Sequence, residues 1–284
     1  MILLAHPYFL RDDAKQLERM KPYPPLATLL CAAVLREHGH EVTLFDAMLA
    51  EGIEEFHAAV AASRPELVAI VEDSFNYVTK MCTVRLREAT IEMIAAARRR
   101  GCRVVVHGSD ATDHPARYLE AGADAVLIGD PEATLAEIAA ASAENPDAPL
   151  ASIAGLALRG RDGDLDVTPP RVGNRDLDAL PLPAWDLVDA DAYRHAWSRA
   201  HGRTSWNMVT SRGCPYGCNW CAKPVFGRRY SQRSPAAVAE ELRRLKLEIG
   251  PDHVGSPTTC SASARGGSRR SPTRFVLATR ASRS

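Results

Sequence analysis

Five short apolar runs recur through the first half of the chain: ILLA (residues 2–5), VTLF (42–45), LVAIV (67–71), VVV (104–106) and AVLI (125–128). They are rich in β-branched residues and lack period-two polarity, the pattern of strands buried on both faces. Helical patterns lie between them. Residues 25–38 stop at Gly39, and 54–62 precede Pro65. Residues 83–100 stop at Gly101, with Arg98, Arg99 and Arg100 as a solvated end at the negative pole of the helix dipole. Residues 115–120, with Asp113 as the expected cap, and 133–141 complete the set. This alternation predicts an α/β fold, a doubly wound parallel sheet of Rossmann-like type.

Such sheets take ligands at the carboxyl ends of their strands. Those ends carry Glu72, Asp73 and Ser74 after the third run, Gly108, Ser109 and Asp110 after the fourth, and Gly129 and Asp130 after the fifth. Small and polar residues there let a ligand approach the backbone, so these are the candidate cofactor-binding positions. Glu72 and Asp73 are adjacent in an extended segment and should face opposite ways, which favours ligand lining over acid–base catalysis. No G-x-G-x-x-G follows the first run, and no G-x4-G-K-[ST] occurs, so neither a dinucleotide nor a nucleoside-triphosphate loop is indicated. Cys31, Cys82 and Cys102 read as small packing residues.

The second half holds a different signal. In SRGCPYGCNWCAKP, Cys214, Cys218 and Cys221 have C-x3-C-x2-C spacing on a loop with Gly213, Pro215 and Gly217. Three thiolates this close converge on one point, and soft thiolate sets select zinc, copper(I) or iron–sulfur clusters. A closed structural zinc site wants four ligands, whereas a [4Fe–4S] cluster held by three keeps one iron open. A structural zinc knuckle stays as the alternative. WNMVT (206–210) reads as a strand before the loop. Residues 234–248 read as a helix after it, with Ser234 as cap and Pro235 in its first position. Between the halves, residues 146–205 form a connector. It contains a hairpin around Arg161, Asp162 and Gly163, and it is anchored by Trp185 and Tyr193.

At the cysteine run and its flanks (HGRTSWNMVTSRGCPYGCNWCAKPVFGRRYSQRSP), and in PPLATLLCAAVLREHGHEVTLFDA and GSDATDHPARYLEAGADAVLIGD, the chain resembles cobalamin-binding radical S-adenosylmethionine (SAM) proteins. The likeness is to the anaerobic magnesium-protoporphyrin ester cyclase subgroup and covers roughly residues 1–254. It implies a cobalamin-binding domain over 1–145, the connector over 146–205, and the start of a radical SAM (β/α) barrel over 206–254. It implies a [4Fe–4S] cluster on Cys214, Cys218 and Cys221, SAM on the open iron, and Tyr216 and Trp220 beside them. It also implies a 5′-deoxyadenosyl radical used for methyl transfer or cyclisation on a small molecule, and a one-electron donor such as a flavodoxin or ferredoxin. One departure matters. The loop HPYFLRDDAK after the first strand lacks the D-x-H-x-x-G of many cobalamin domains, so no cobalt-binding histidine is expected there. A stand-alone corrinoid-binding domain is the second reading.

Charge balances at 35 basic and 35 acidic residues, giving no case for nucleic acid. There is no membrane-length apolar run, and MILLAHPYFLRDD lacks a basic leader. Seven cysteines, three of them clustered, suit a reducing, cytoplasmic setting. Residues 255–284 hold six arginines, seven serines and no acid, and read as a disordered basic tail. A one-base shift lets the same codons spell a run ending Asp-Asp-Val-Phe-Gly-Leu, like the segment that follows this helix in the subgroup. The tail therefore reads as a frameshift product. The expectation is a barrel with one strand and one helix, binding its cluster weakly and inactive.

Overall fold

The computed structural model describes residues 1–76, 82–214, 216, 225–226, 230–255 and the backbone of 275–276. Its elements in chain order are β1 (Ile2–His6), α1 (Ala14–Arg19), α2 (Leu26–Glu37), β2 (Val42–Asp46), α3 (Ile53–Ser63), β3 (Leu67–Val71), α4 (Thr83–Arg99), β4 (Arg103–His107), α5 (Ser109–Asp113), α6 (Pro115–Glu120), β5 (Ala125–Leu127) and α7 (Pro131–Glu144). There follow β6 (Leu156–Arg159), β7 (Leu165–Val167), α8 (Ala190–His201), β8 (Ser205–Asn207), β9 (Ser211–Arg212), β10 (Ser231–Gln232), α9 (Pro235–Glu248), β11 (His253–Gly255) and β12 (Phe275–Val276).

The first sheet has the order β2-β1-β3-β4-β5-β6-β7. Its first five strands are parallel, as the five apolar runs require. Alternate side chains feed two cores. Leu4, Ala69 and Val105 pack under α2 and α7, while Leu3, Ile70 and Val106 pack under α3 and α4. The hairpin forms where expected, with Gly163 at φ 84° in its turn. It does more than connect, because β6 pairs antiparallel with β5 and extends the first sheet. Asp113 does not cap α6; it ends α5, and His114 occupies the cap position.

Helix α2 (LATLLCAAVLRE) is apolar all round and correspondingly buried from Leu26 to Leu35. Before it lies Lys21-Pro22-Tyr23-Pro24-Pro25, whose prolines cannot donate but leave carbonyls open. The second half docks on that strip. Trp197 Nε1 donates to Pro22 O at 2.6 Å, and Asn207 Nδ2 to Pro24 O at 2.9 Å. The Tyr23 and Ser205 hydroxyls meet at 3.0 Å. Trp206 is fully buried edge-on to Trp185 and Tyr193, each centroid 5.7 Å away, so both expected anchors hold the connector. Helix α8 was not legible as a helix, though Asp189 caps it by accepting from Ala192 N.

Strand β8 opens a second sheet, and α9 begins at Ser234, whose hydroxyl accepts from Ala237 N. Beyond α9, β11 lies parallel to β8, giving a second barrel-type strand where only one was expected. Gly255 belongs to β11, and the backbone of Phe275–Val276 pairs antiparallel with it as β12, satisfying part of an otherwise open strand edge. The remaining tail residues lie outside the described set.

Leu4 is fully buried on β1, between β2 and β3. Leu4→Ala should lower the unfolding free energy by about 2–5 kcal/mol, read by denaturant unfolding; a loss under about 1 kcal/mol would contradict this packing.

Candidate functional site

The strand order reverses between β1 and β3, the usual ligand crevice of a doubly wound sheet. The carboxyl-end residues are present there but differ in what they are free to do. The Glu72 carboxylate accepts from Ser109 N at 2.8 Å, capping α5. Gly108 is required for this, since a Cβ there would stand 2.4 Å from Glu72 Oε2. Asp73 turns the other way, as expected, and accepts from Ala27 N at the start of α2 and from Phe75 N, both at 3.2 Å. Asp110 is committed elsewhere: Arg87 Nε donates to it at 2.7 Å and the Tyr118 hydroxyl at 2.6 Å. Asp130 accepts from Asn174 N of the connector at 2.9 Å.

Three buried groups at this edge lack a well-formed hydrogen bond among the described residues: both ring nitrogens of His6, Nδ1 of His107, and Oγ of Ser74. Burial holds the imidazole of His6 down to about 4, with the Val71 carbonyl offsetting only part of the effect. Burial does the same to His107, also to about 4, although its Nε2–H donates to Gly129 O at 3.0 Å. Both rings are therefore neutral near pH 7. Gly129 has φ 87° and open space where a Cβ would sit. Buried polar groups without such partners are uncommon and mark this edge as one that can take a polar ligand.

Sequence reasoning missed Arg212, which enters this edge from the second half. Its side chain is 4% exposed. It forks onto Glu132 at the start of α7, with NH2 to Oε1 at 2.5 Å and NH1 to Oε2 at 3.1 Å, while Asp130 Oδ2 lies 3.7 Å away. Its guanidinium carbon sits 5.4 Å from the Phe75 ring centroid and 5.6 Å from that of Phe226. Burial pushes the Glu132 carboxyl up, but Arg212 outweighs it, and the net shift is down. The only visible signal was position: an arginine two residues before the first clustered cysteine.

Cys214 follows β9 and is half-buried. Tyr216 is 55% exposed. Cys218, Trp220 and Cys221 lie outside the described residues, and among the described ones no three metal-ligating side chains converge. The ends of the loop are pinned together, because Arg212 of β9 pairs with Ser231 of β10. Arg233, next after β10, forms a salt bridge with the buried Glu241 and donates to Val209 O at 3.1 Å. Beside Arg212 a cleft of about 510 Å³ opens between Asp130, Asn174, Phe226 and Tyr230, a volume typical of small-molecule sites.

A family model described as a B12 binding domain matches residues 18–139. An uncharacterized methyltransferase of Pyrococcus horikoshii is 29% identical over 80% of this chain and 47% of its own length. The anaerobic magnesium-protoporphyrin IX monomethyl ester cyclase of Synechocystis is 32% identical over 77% of this chain and 42% of its own. The hopanoid C-3 methylase of Methylococcus capsulatus is 28% identical over 78% and 40%. The chain thus spans less than half the length of each. Among solved structures, the cobalamin-dependent SAM radical enzyme OxsB, with aqua-cobalamin and SAM bound, superposes with a TM-score of 0.68 at 17% identity, over 89% of this chain and 33% of that one. Residues 18–139 are thus similar to B12-binding domains, and the fold is similar to that of a cobalamin-dependent SAM radical enzyme. Those relatives are named as enzymes, and the matched residues run from α1 to α7, most of the first sheet with its helices, called here the B12-binding module. Among the described residues no helix is long and apolar enough to cross a membrane.

The buried groups of the module predict an acid limb. Between pH 6.5 and about 4, His6 and His107 stay neutral when folded but take up protons when unfolded. The unfolded state then binds more protons, so stability falls as pH falls through that window. Asp46 opposes this. Burial raises its carboxyl from 3.8 to about 6, so its contribution grows as pH drops. Two histidines outweigh one carboxyl. The thermal midpoint should be lower at pH 5 than at pH 7, and His107→Asn should flatten the slope; a midpoint rising toward pH 5 would contradict it.

Proposed function

We propose that this chain carries a corrinoid and a [4Fe–4S] cluster on the two sides of one junction, as the cofactor-bearing part of a radical SAM enzyme. The reaction class is methyl transfer or radical cyclisation on a small molecule. The observation that carries this reading is that β9, the strand entering the cysteine loop, is tied by Arg212 and Glu132 to the carboxyl-end face of the B12-binding module.

In this reading Ser74, His6, His107 and the backbone around Gly108 and Gly129 would hold the corrinoid periphery, with no histidine from the loop after β1 offered to cobalt. Glu72, Asp73, Ser109 and Asp110 shape that face through their caps and ion pair rather than by direct contact. Asp130 stands at the edge of the cleft. Cys214, Cys218 and Cys221 would ligate the cluster, and Tyr216 and Trp220 are the residues the resemblance assigns to the cluster and SAM. When bound, the cluster supplies an electron for SAM cleavage and the corrinoid supplies a methyl relay; the protein's part is orientation and exclusion of water. Phe75 and Phe226 stack at 5.1 Å and shield the junction. An exposed electron donor, such as a flavodoxin or ferredoxin, would serve the cluster. A stand-alone corrinoid domain is less well supported, since it gives no reason to bury Arg212 against Glu132.

Anaerobic reconstitution with iron and sulfide should give a cluster with the absorption and paramagnetic signature of [4Fe–4S], and Cys214→Ala should lose it while corrinoid uptake persists. Zinc in place of iron and sulfide, or metal content unchanged by Cys214→Ala, would overturn the proposal.

A further inference from the structure

Arg212 is a costly residue to bury, and its surroundings come from both ends of the chain. Glu132 belongs to α7, and Phe75 follows β3. Phe226 lies on the far side of the cysteine loop, and Cys31 of α2 and His107 of β4 both feel the charge. Through the β9–β10 ladder the same residue restrains both ends of the loop.

We infer that Arg212 is a positioning residue. Its guanidinium, gripped by Glu132 and flanked by Phe75 and Phe226, fixes where Cys214 sits relative to the carboxyl-end loops of the B12-binding module. The inference rests on the proposed function for what the loop carries, but not for the placement itself. Three features argue for positioning over plain stability. The fork is bidentate, so it sets orientation as well as distance. It lies two residues from Cys214, with only Gly213 between. And a buried ion pair is commonly no more stabilising than apolar residues of similar volume, whereas losing one partner is severe. Lysine, a point charge on a flexible stem, cannot reproduce the fork.

Hydrogen exchange on the full chain without cofactors tests this. Arg212→Lys, Glu132→Gln and the double variant Arg212→Met with Glu132→Leu are compared with the unaltered chain. Each single variant should speed exchange of residues 209–214 and 231–233 by about 100-fold, as expected for a broken buried pair, with amides of β1 and β3 unchanged. The double variant should recover the thermal midpoint yet keep the fast exchange around the loop, since it restores apolar packing but not the fork. Single variants within about two-fold of the unaltered chain would overturn the inference, because a buried pair costs far more to break. So would a double variant that regains full protection. Because no cofactor is present in the measurement, failure of the chain to take up iron or corrinoid would overturn the functional reading alone.

Discussion

A guanidinium that is 4% exposed must be neutralised where it lies, and Arg212 finds its countercharge in Glu132, itself 5% exposed. The desolvation cost of two such ions is several kcal/mol each, returned only when the geometry is good and the remaining donors are engaged. That condition makes the junction specific. The second half of the chain cannot slide along the carboxyl-end face without stranding a charge on each side. The aromatic rings of Phe75 and Phe226 complete the enclosure, one from each half.

The rest of the junction follows from α2. A helix apolar on every side needs cover on every side, and the sheet and α7 supply only part of it. The remainder comes from the connector and β8, guided by carbonyls that the proline strip before α2 leaves without local partners. Tyr193 reaches from α8 to Asp46 at the end of β2, donating at 2.5 Å. The residues that close the core thus also dock β8, the strand just before β9, on the strip that precedes α2.

The five parallel strands were legible because burial on both faces leaves an unbroken apolar run. Ser234 and Pro235 were legible because a helix start is a local event. Position along the chain also identified the carboxyl-end residues, but not their roles. The pairing of Asp110 with Arg87, a helix away in sequence, is one such nonlocal role. Helix α8 was hidden by the prolines and acids before it. The union of β6 with β5, the second barrel strand β11 and the pairing of β12 are all nonlocal. Arg212 was hidden for the same reason, since its meaning depends on Glu132, far away in the chain. The cysteine spacing stood out because metal chemistry needs its ligands close together, and the cluster on Cys214, Cys218 and Cys221 was read from that spacing, its flanks and the family resemblance.

The central claim is that the two cofactor sites share one rigid junction. Electron paramagnetic resonance of the full chain, loaded with both cob(II)alamin and a reduced cluster, tests it most directly. The account predicts a spectrum altered by spin–spin coupling, distinct from the sum of the spectra of the two singly loaded forms. A spectrum equal to that sum would contradict it.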